Sequence, residues 1–230
     1  PNTNAAATRV LDRLGISVIP AREAACCGAV DYHLDAQAAG LDRARRNIDA
    51  WWPGIERGAE AIVQTASGCG AFIKEYGHLL GNDPAYAEKA ATVSALARDL
   101  VEVLRDEPLH TLGVHSNQRL AFHCPCTLQH GQKLKGVVEA NLSKLGFTLK
   151  TARTEAHLCC GSAGTYSVLQ ADIAQQLRQR KLGALGEAFT DDSPPAAILS
   201  ANIGCISHLQ AGTSIPVRHW VEVLDEALAR

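Results

Sequence analysis

Methionine is absent from this 230-residue chain and proline comes first, so the expectation is a sequence that starts inside a longer protein. No secretory leader is recognisable at its start. No apolar run approaches the roughly 18 residues that a spanning helix needs, so no transmembrane segment is expected. Charge of either sign is not in excess. A formal net charge of −2 and a pI near 6.5 give no support to binding of nucleic acid or an anionic membrane surface. No Ser/His/Asp triad or paired-carboxylate arrangement stands out. Gly161–Ser162–Ala163–Gly164 has the look of a phosphate cradle but lacks the Walker lysine.

What remains is an ordinary globular composition, 47% hydrophobic and 20% charged, with eight cysteines. The length suits one large domain or two modules. Four of the cysteines form two copies of one tripeptide, Cys26–Cys27–Gly28 and Cys159–Cys160–Gly161. Adjacent cysteines seldom bridge each other, because the geometry of such a disulfide is strained. They are better suited to a centre that accepts several thiolates. The following glycine permits a tight turn with positive φ and the approach of a bulky ligand. Without a secretory signal, metal ligation is the stronger reading and a disulfide scaffold the weaker.

Along the chain, Ala7, Val10, Leu11 and Leu14 mark a first helix, closed by Gly15, and residues 16–19 read as a short strand. A helix over 36–52 is expected to stop at Pro53–Gly54. Residues 61–64 read as a buried strand, and helices are expected over 71–80 and 84–105. The stretch 107–118 reads as a linker. The second half then repeats the plan. A strand at 120–123 leads to Cys124–Pro125–Cys126, followed by a helix closing at Gly146 and a strand at 147–149. After the second Cys–Cys–Gly come a helix over 171–187, a strand at 196–199, Cys205, and a final helix from about Val217.

Landmarks recur in order. Leu14–Gly15 matches Leu145–Gly146, Cys26 matches Cys159, Gly68–Cys69 matches Gly204–Cys205, and residues 98–104 match 218–224. Such a long period is a duplicated module and not a solenoid. Alternating strands and helices argue for α/β architecture: two duplicated modules, 1–110 and 111–230, with small parallel sheets flanked by helices and a pseudo-twofold relation.

In the second copy Cys126, Cys159–Cys160 and Cys205 each follow an expected strand. Ligands gather beyond the carboxyl ends of parallel strands, so these loops should converge. Four thiolates suit zinc or an iron–sulfur cluster. Adjacent cysteines sit awkwardly on one tetrahedral ion and more easily on different irons, which favours the cluster. Buried inert thiols are the alternative. The first copy offers Cys26, Cys27 and Cys69. The position 131 residues before Cys126 falls ahead of Pro1, so this site is incomplete within the sequence.

This arrangement of cysteines resembles the cysteine-rich "CCG" domain of the heterodisulfide reductase B subunit family. That family's motif ends in Cys–x–x–Cys, whereas Ala66 and Asn202 stand at the earlier position here. The departure implies an ordinary four-thiolate site in place of a five-cysteine noncubane 4Fe–4S cluster. The runs Cys159–Cys160–Gly161–Ser162–Ala163–Gly164–Thr165–Tyr166, Gln129–His130–Gly131–Gln132, Arg180–Lys181 and Ala201–Asn202–Ile203–Gly204–Cys205 resemble the glycolate oxidase iron–sulfur subunit family. So do Pro1–Asn2–Thr3–Asn4 and Ser67–Gly68–Cys69–Gly70. The resemblance implies an iron–sulfur electron-transfer role beside flavin-containing oxidase subunits, with FAD on those partners only. Electrons would pass from flavin-oxidised glycolate toward a membrane acceptor. The implied location is cytoplasmic, peripheral on the inner face of the cell membrane.

Other residues have plainer readings. Cys124, two before Cys126, points the opposite way on an extended segment and reads as a spectator. His123 and His130 flank the ligand loop and could hydrogen-bond a sulfur, although a surface or supporting role is commoner for histidine. Arg43, Arg45 and Arg46 read as a solvated helix face, and Trp51–Trp52 as core or subunit contact. Three functions stay open: an electron-transfer region of a hydroxy-acid oxidase, a thiol/disulfide reductase, and a zinc-stapled interaction module. The missing Cys–x–x–Cys favours the first over the second.

Overall fold

The computed structural model describes residues 2–114, 116–189 and 194–228. Pro1, which opens one of the resemblance runs, and His115 of the expected linker lie outside the described residues. The chain forms two compact units, one from residues 18–100 and the other from 1–17 together with 101–230.

Helix α1 (Asn2–Arg13) buries Ala6, Ala7, Val10 and Leu11 on one stripe, and Gly15 at φ 78° turns the chain out of it. The unit of residues 18–100 contains α2 (Ala29–His33), α3 (Gln37–Glu56), β1 (Ile62–Gln64), α4 (Ser67–Lys74), α5 (Tyr76–Leu79), α6 (Ala87–Leu96) and β2 (Ala97–Asp99). Its core gathers Ile48, Phe72, Ile73, Tyr76, Leu80 and Val93. Two expectations are corrected here. Helix α3 does not stop at Pro53 but runs on to Glu56. A proline so near the carboxyl end removes a single helical hydrogen bond. Beyond it, Arg57, Gly58 and Ala59 close the end by donating to Gly54 and Ile55 carbonyls. The helix expected over 84–105 is interrupted, because Ala97–Asp99 leaves α6 to pair in parallel with β1 before α7 (Leu100–Arg105) begins.

In the second unit, a 3₁₀ turn at Leu109–Leu112 buries both leucines along with Val114, so the stretch read as a linker is packed. There follow β3 (Arg119–Phe122), α8 (Val137–Lys144), β4 (Thr148–Thr151), α9 (Tyr166–Leu169), α10 (Ala171–Gly186), β5 (Ala197–Ser200), α11 (Ile203–Gln210), β6 (Val217–His219) and α12 (Trp220–Ala227). The four strands make one all-parallel sheet in the order β4-β3-β5-β6. All four residues of β5 are buried, as a central parallel strand requires. The final helix begins at Trp220 and not at Val217, because residues 217–219 are the strand β6.

The two sheets share a register. Ile62–Gln64 pairs with Ala97–Asp99 as Ile198–Ser200 pairs with Val217–His219. The correspondence also accounts for the strand expected at 16–19, which does not form. Its counterpart β4 pairs with β3 alone. Residues 16–19 pair with no strand among the described residues, and Val18 and Ile19 are exposed.

The first 17 residues join the second unit through α12. Arg9 forms a two-pronged ion pair with Asp225 at 2.8 and 2.6 Å. Thr3 Oγ1 donates to Glu222 Oε1 at 2.5 Å. Most of the attachment is apolar, since Leu11 is buried and exposed ion pairs contribute little. Leu11→Ala is therefore expected to cost about 3 kcal/mol and to speed amide hydrogen exchange across α12. Unchanged exchange there would show that α1 does not support this unit.

Candidate metal centre

The second-copy cysteines lie at the carboxyl ends of the parallel strands. Cys126 follows β3, Cys159 and Cys160 lie on the loop after β4, and Cys205 sits in the first turn of α11, after β5. Their thiols form a connected group: Cys126 with Cys159, Cys159 with Cys160, and Cys160 with Cys205. Cys160 and Cys205 are buried, and all eight cysteines of the chain are free thiols. His123, immediately after β3, brings an imidazole nitrogen within 4.8 Å of both Cys160 Sγ and Cys205 Sγ, which are themselves within that distance of each other.

Glycine gives the loop its course. Gly161 has φ 94°, and a Cβ there would strike the carbonyl oxygen of Ala174 on α10. Gly28 repeats this, with φ 92° and its missing Cβ aimed at the Gly40 carbonyl on α3. The room expected beside each Cys–Cys–Gly glycine for a bulky ligand is instead taken by a helix backbone. Gly161 N–H donates to Cys159 Sγ at 3.3 Å, and Asn202 Nδ2 reaches Cys205 Sγ at 3.8 Å.

The electrostatics are those of thiols forced together. Hydrogen bonding from Cys126 and then Cys160, with Gly161 and Ala163 backbone contributions, holds Cys159 well below the usual thiol range. Cys205 falls to about 5 through Cys160, against the opposing effect of burial and with help from His123. Cys126 and Cys160 are pushed up, first by the neighbouring thiolate and then by burial. Four such groups resist ionising together unless positive charge enters among them, as a metal centre would supply. Part is already built in. Lys181 on α10 is 2% exposed, and its Nζ donates to the Glu155 carbonyl at 2.6 Å and the Ala156 carbonyl at 3.4 Å. Burial lowers its pKa, opposed by Cys126 and Cys160. Lys181 appeared in the sequence only as part of a resemblance, because an isolated lysine in a helix carries no sign of burial.

The first-copy thiols also meet. Cys27 Sγ lies 3.3 Å from Cys69 Sγ, and the contact lowers Cys27 to about 6 while raising Cys69. Cys26, on the exposed side, also hydrogen-bonds Cys27. Behind the loop, buried Asn47 on α3 accepts from Ala25 N–H and donates to the Cys26 carbonyl. Tyr76 Oη donates to the Cys27 carbonyl at 2.6 Å.

Of the remaining candidates, His130 Nε2 lies 3.2 Å from the His157 carbonyl, and the Cys124 carbonyl accepts from Gln129 Nε2 at 3.3 Å. Arg43 pairs with Asp31, Arg45 with Asp83 and Asp42, and Trp51 stacks on Tyr76.

Paired parallel sheets with shared register, each carrying a Cys–Cys–Gly loop set by a left-handed glycine, define a class, and comparison agrees. The chain belongs to the CCG cysteine-rich domain family, whose model matches residues 1–74 and 120–210. Along its whole length it is 62% identical over 230 residues to the glycolate oxidase iron-sulfur subunit of Escherichia coli (strain K12), covering 55% of that protein. It is 28% identical over 220 residues to the probable glycolate oxidase iron-sulfur subunit of Bacillus subtilis (strain 168), spanning 91% of this chain and 46% of the relative. It is also 30% identical over 241 residues to lactate utilization protein A of Geobacillus thermodenitrificans (strain NG80-2), with 97% of this chain and 92% of that one covered. The chain thus spans about half the length of the glycolate oxidase subunits it matches.

Proposed function

We propose that this chain is the cysteine-rich electron-transfer region of an iron–sulfur subunit serving a flavin-dependent oxidase of glycolate or a related 2-hydroxy acid. The observation that carries the reading is the convergence of Cys126, Cys159, Cys160 and Cys205 at the carboxyl end of one parallel sheet, beside a buried lysine. Soft thiolate donors suit iron–sulfur ligation. The residues present fit such a group, since the thiols crowd together and a buried imidazole nitrogen beside them has no partner in good hydrogen-bond geometry among the described residues. A bound cluster would supply one-electron redox chemistry. The four cysteines would hold it, Gly161 N–H and Asn202 would hydrogen-bond its sulfur ligands, and Lys181 would offset its negative charge.

The names of the relatives support a subunit role in oxidation of a hydroxy acid. On this reading the flavin belongs to partner subunits, and electrons leave toward a membrane acceptor from a position on the cytoplasmic face. Among the described residues no helix is long and apolar enough to cross a membrane. The modules 1–110 and 111–230 are read as duplicated in sequence, and Cys26, Cys27 and Cys69 as an incomplete second site.

The deciding experiment is iron, acid-labile sulfide and zinc analysis of anaerobically purified protein. Iron and sulfide in matching amounts support the proposal. Zinc without sulfide would replace it with a stapled interaction module, and absence of any metal would leave the thiol/disulfide reading.

A further inference from the structure

We propose that His123 is itself a ligand of the second metal centre, supplying one imidazole nitrogen beside the thiolates of Cys160 and Cys205. The inference rests on the reading that this pocket holds an iron–sulfur cluster, and it adds a donor to the four cysteines. Backbone pairing fixes where His123 can point. Its N–H donates to the Leu199 carbonyl at 2.8 Å, and its own carbonyl accepts from Ser200 Oγ at 3.0 Å. The residue is therefore clamped to β5, at the level where the chain turns toward Cys205. It is 2% exposed, its ring lies against the Cys205 thiol, and Nε2 has no partner in good hydrogen-bond geometry among the described residues.

A buried ring nitrogen without a well-placed partner is unfavourable. Neighbouring histidines avoid that cost. His219 Nδ1 accepts from Val221 N–H at 3.2 Å, and His208 Nε2 lies 3.1 Å from the Ala174 carbonyl. Each has a structural partner, whereas the His123 ring faces thiols. Metal bonds to imidazole and thiolate are about 2.0–2.3 Å long. Three donors within 4.8 Å of one another are therefore close to the reach of a single metal atom, and small side-chain rotations complete it.

A neutral imidazole adds no negative charge where a further thiolate would. Histidine ligation raises the potential of iron–sulfur centres for this reason. His123 and Lys181 would then act together, keeping this centre easier to reduce than one held by thiolates alone.

The test uses anaerobically purified protein labelled with ¹⁵N-histidine and reduced with dithionite, compared with His123→Ala and His123→Cys. Pulsed electron paramagnetic resonance should show a strong ¹⁵N coupling in the parent protein that both variants lose. His123→Cys keeps a donor in place, so it should retain iron and sulfide while its midpoint potential shifts negative. A parent with iron and sulfide but only the weak coupling of a hydrogen-bonded ring, or a coupling that survives in His123→Ala, overturns the inference alone. Zinc in place of iron overturns the cluster reading alone. X-ray absorption then counts nitrogen ligands, and a count that drops by one in His123→Ala sustains the role of His123. Metal-free protein overturns both.

Discussion

Cys160→Ser is expected to remove the iron and sulfide of the second site, whereas Cys27→Ser should leave the metal content of this 230-residue chain nearly unchanged. Cys160 is completely buried and touches both Cys159 and Cys205, so it is the middle member of the thiol group. A serine there substitutes a hard hydroxyl, far harder to ionise than a thiol, for a soft thiolate. The loss of one ligand opens the centre to water and oxygen. Cys27 is also buried, and its group among the described residues is formed with Cys26 and Cys69. Three thiolates are one short of a four-ligand site. Metal and sulfide per chain, measured for both variants against the parent, give the answer. If Cys27→Ser empties the protein and Cys160→Ser does not, the working site has been assigned to the wrong copy.

Much of this arrangement was legible in the sequence. Loops after short apolar runs were expected to converge, and Cys126, Cys159, Cys160 and Cys205 do meet at the ends of β3, β4 and β5. The departures from the expected elements fall at matching places. The strands β2 and β6 were both absorbed into helices, at positions the duplication had already matched. Each is three residues long, at an edge of its sheet, and runs directly into a helix. Three residues are too few to establish a period of two, and the helical pattern that follows them dominates any window. The strand expected at 16–19 failed for the opposite reason. Its local pattern was adequate, but strand formation needs a neighbour. His123 and Lys181 were undervalued because burial of a polar side chain is a tertiary fact. Neither residue type at those positions distinguishes a solvated surface from a site.

The other large effect is expected from one methyl group. Gly161→Ala should destabilise the second unit by about 3 kcal/mol or more, and Gly28→Ala should do the same to the unit of residues 18–100. At φ 94° and 92° these positions lie where side chains are rarely accommodated. Space is the harder limit. In both places the added Cβ would meet a helix carbonyl oxygen, of Ala174 or of Gly40, and backbone cannot swing aside as a side-chain tip could. The loop must move, and Cys159 and Cys160 move with it. Gly161→Ala is therefore expected to lower thermal stability and also to lose metal from whatever folded protein remains. Gly164→Ala is the control, with φ 60° but open space around the missing Cβ. It carries the backbone strain without the collision, so its cost should be about 1 kcal/mol, with metal retained. Chemical denaturation combined with metal analysis of the three variants separates the two effects. Equal losses for Gly161→Ala and Gly164→Ala would mean that torsional preference alone, and not contact with the helix, fixes glycine after the paired cysteines.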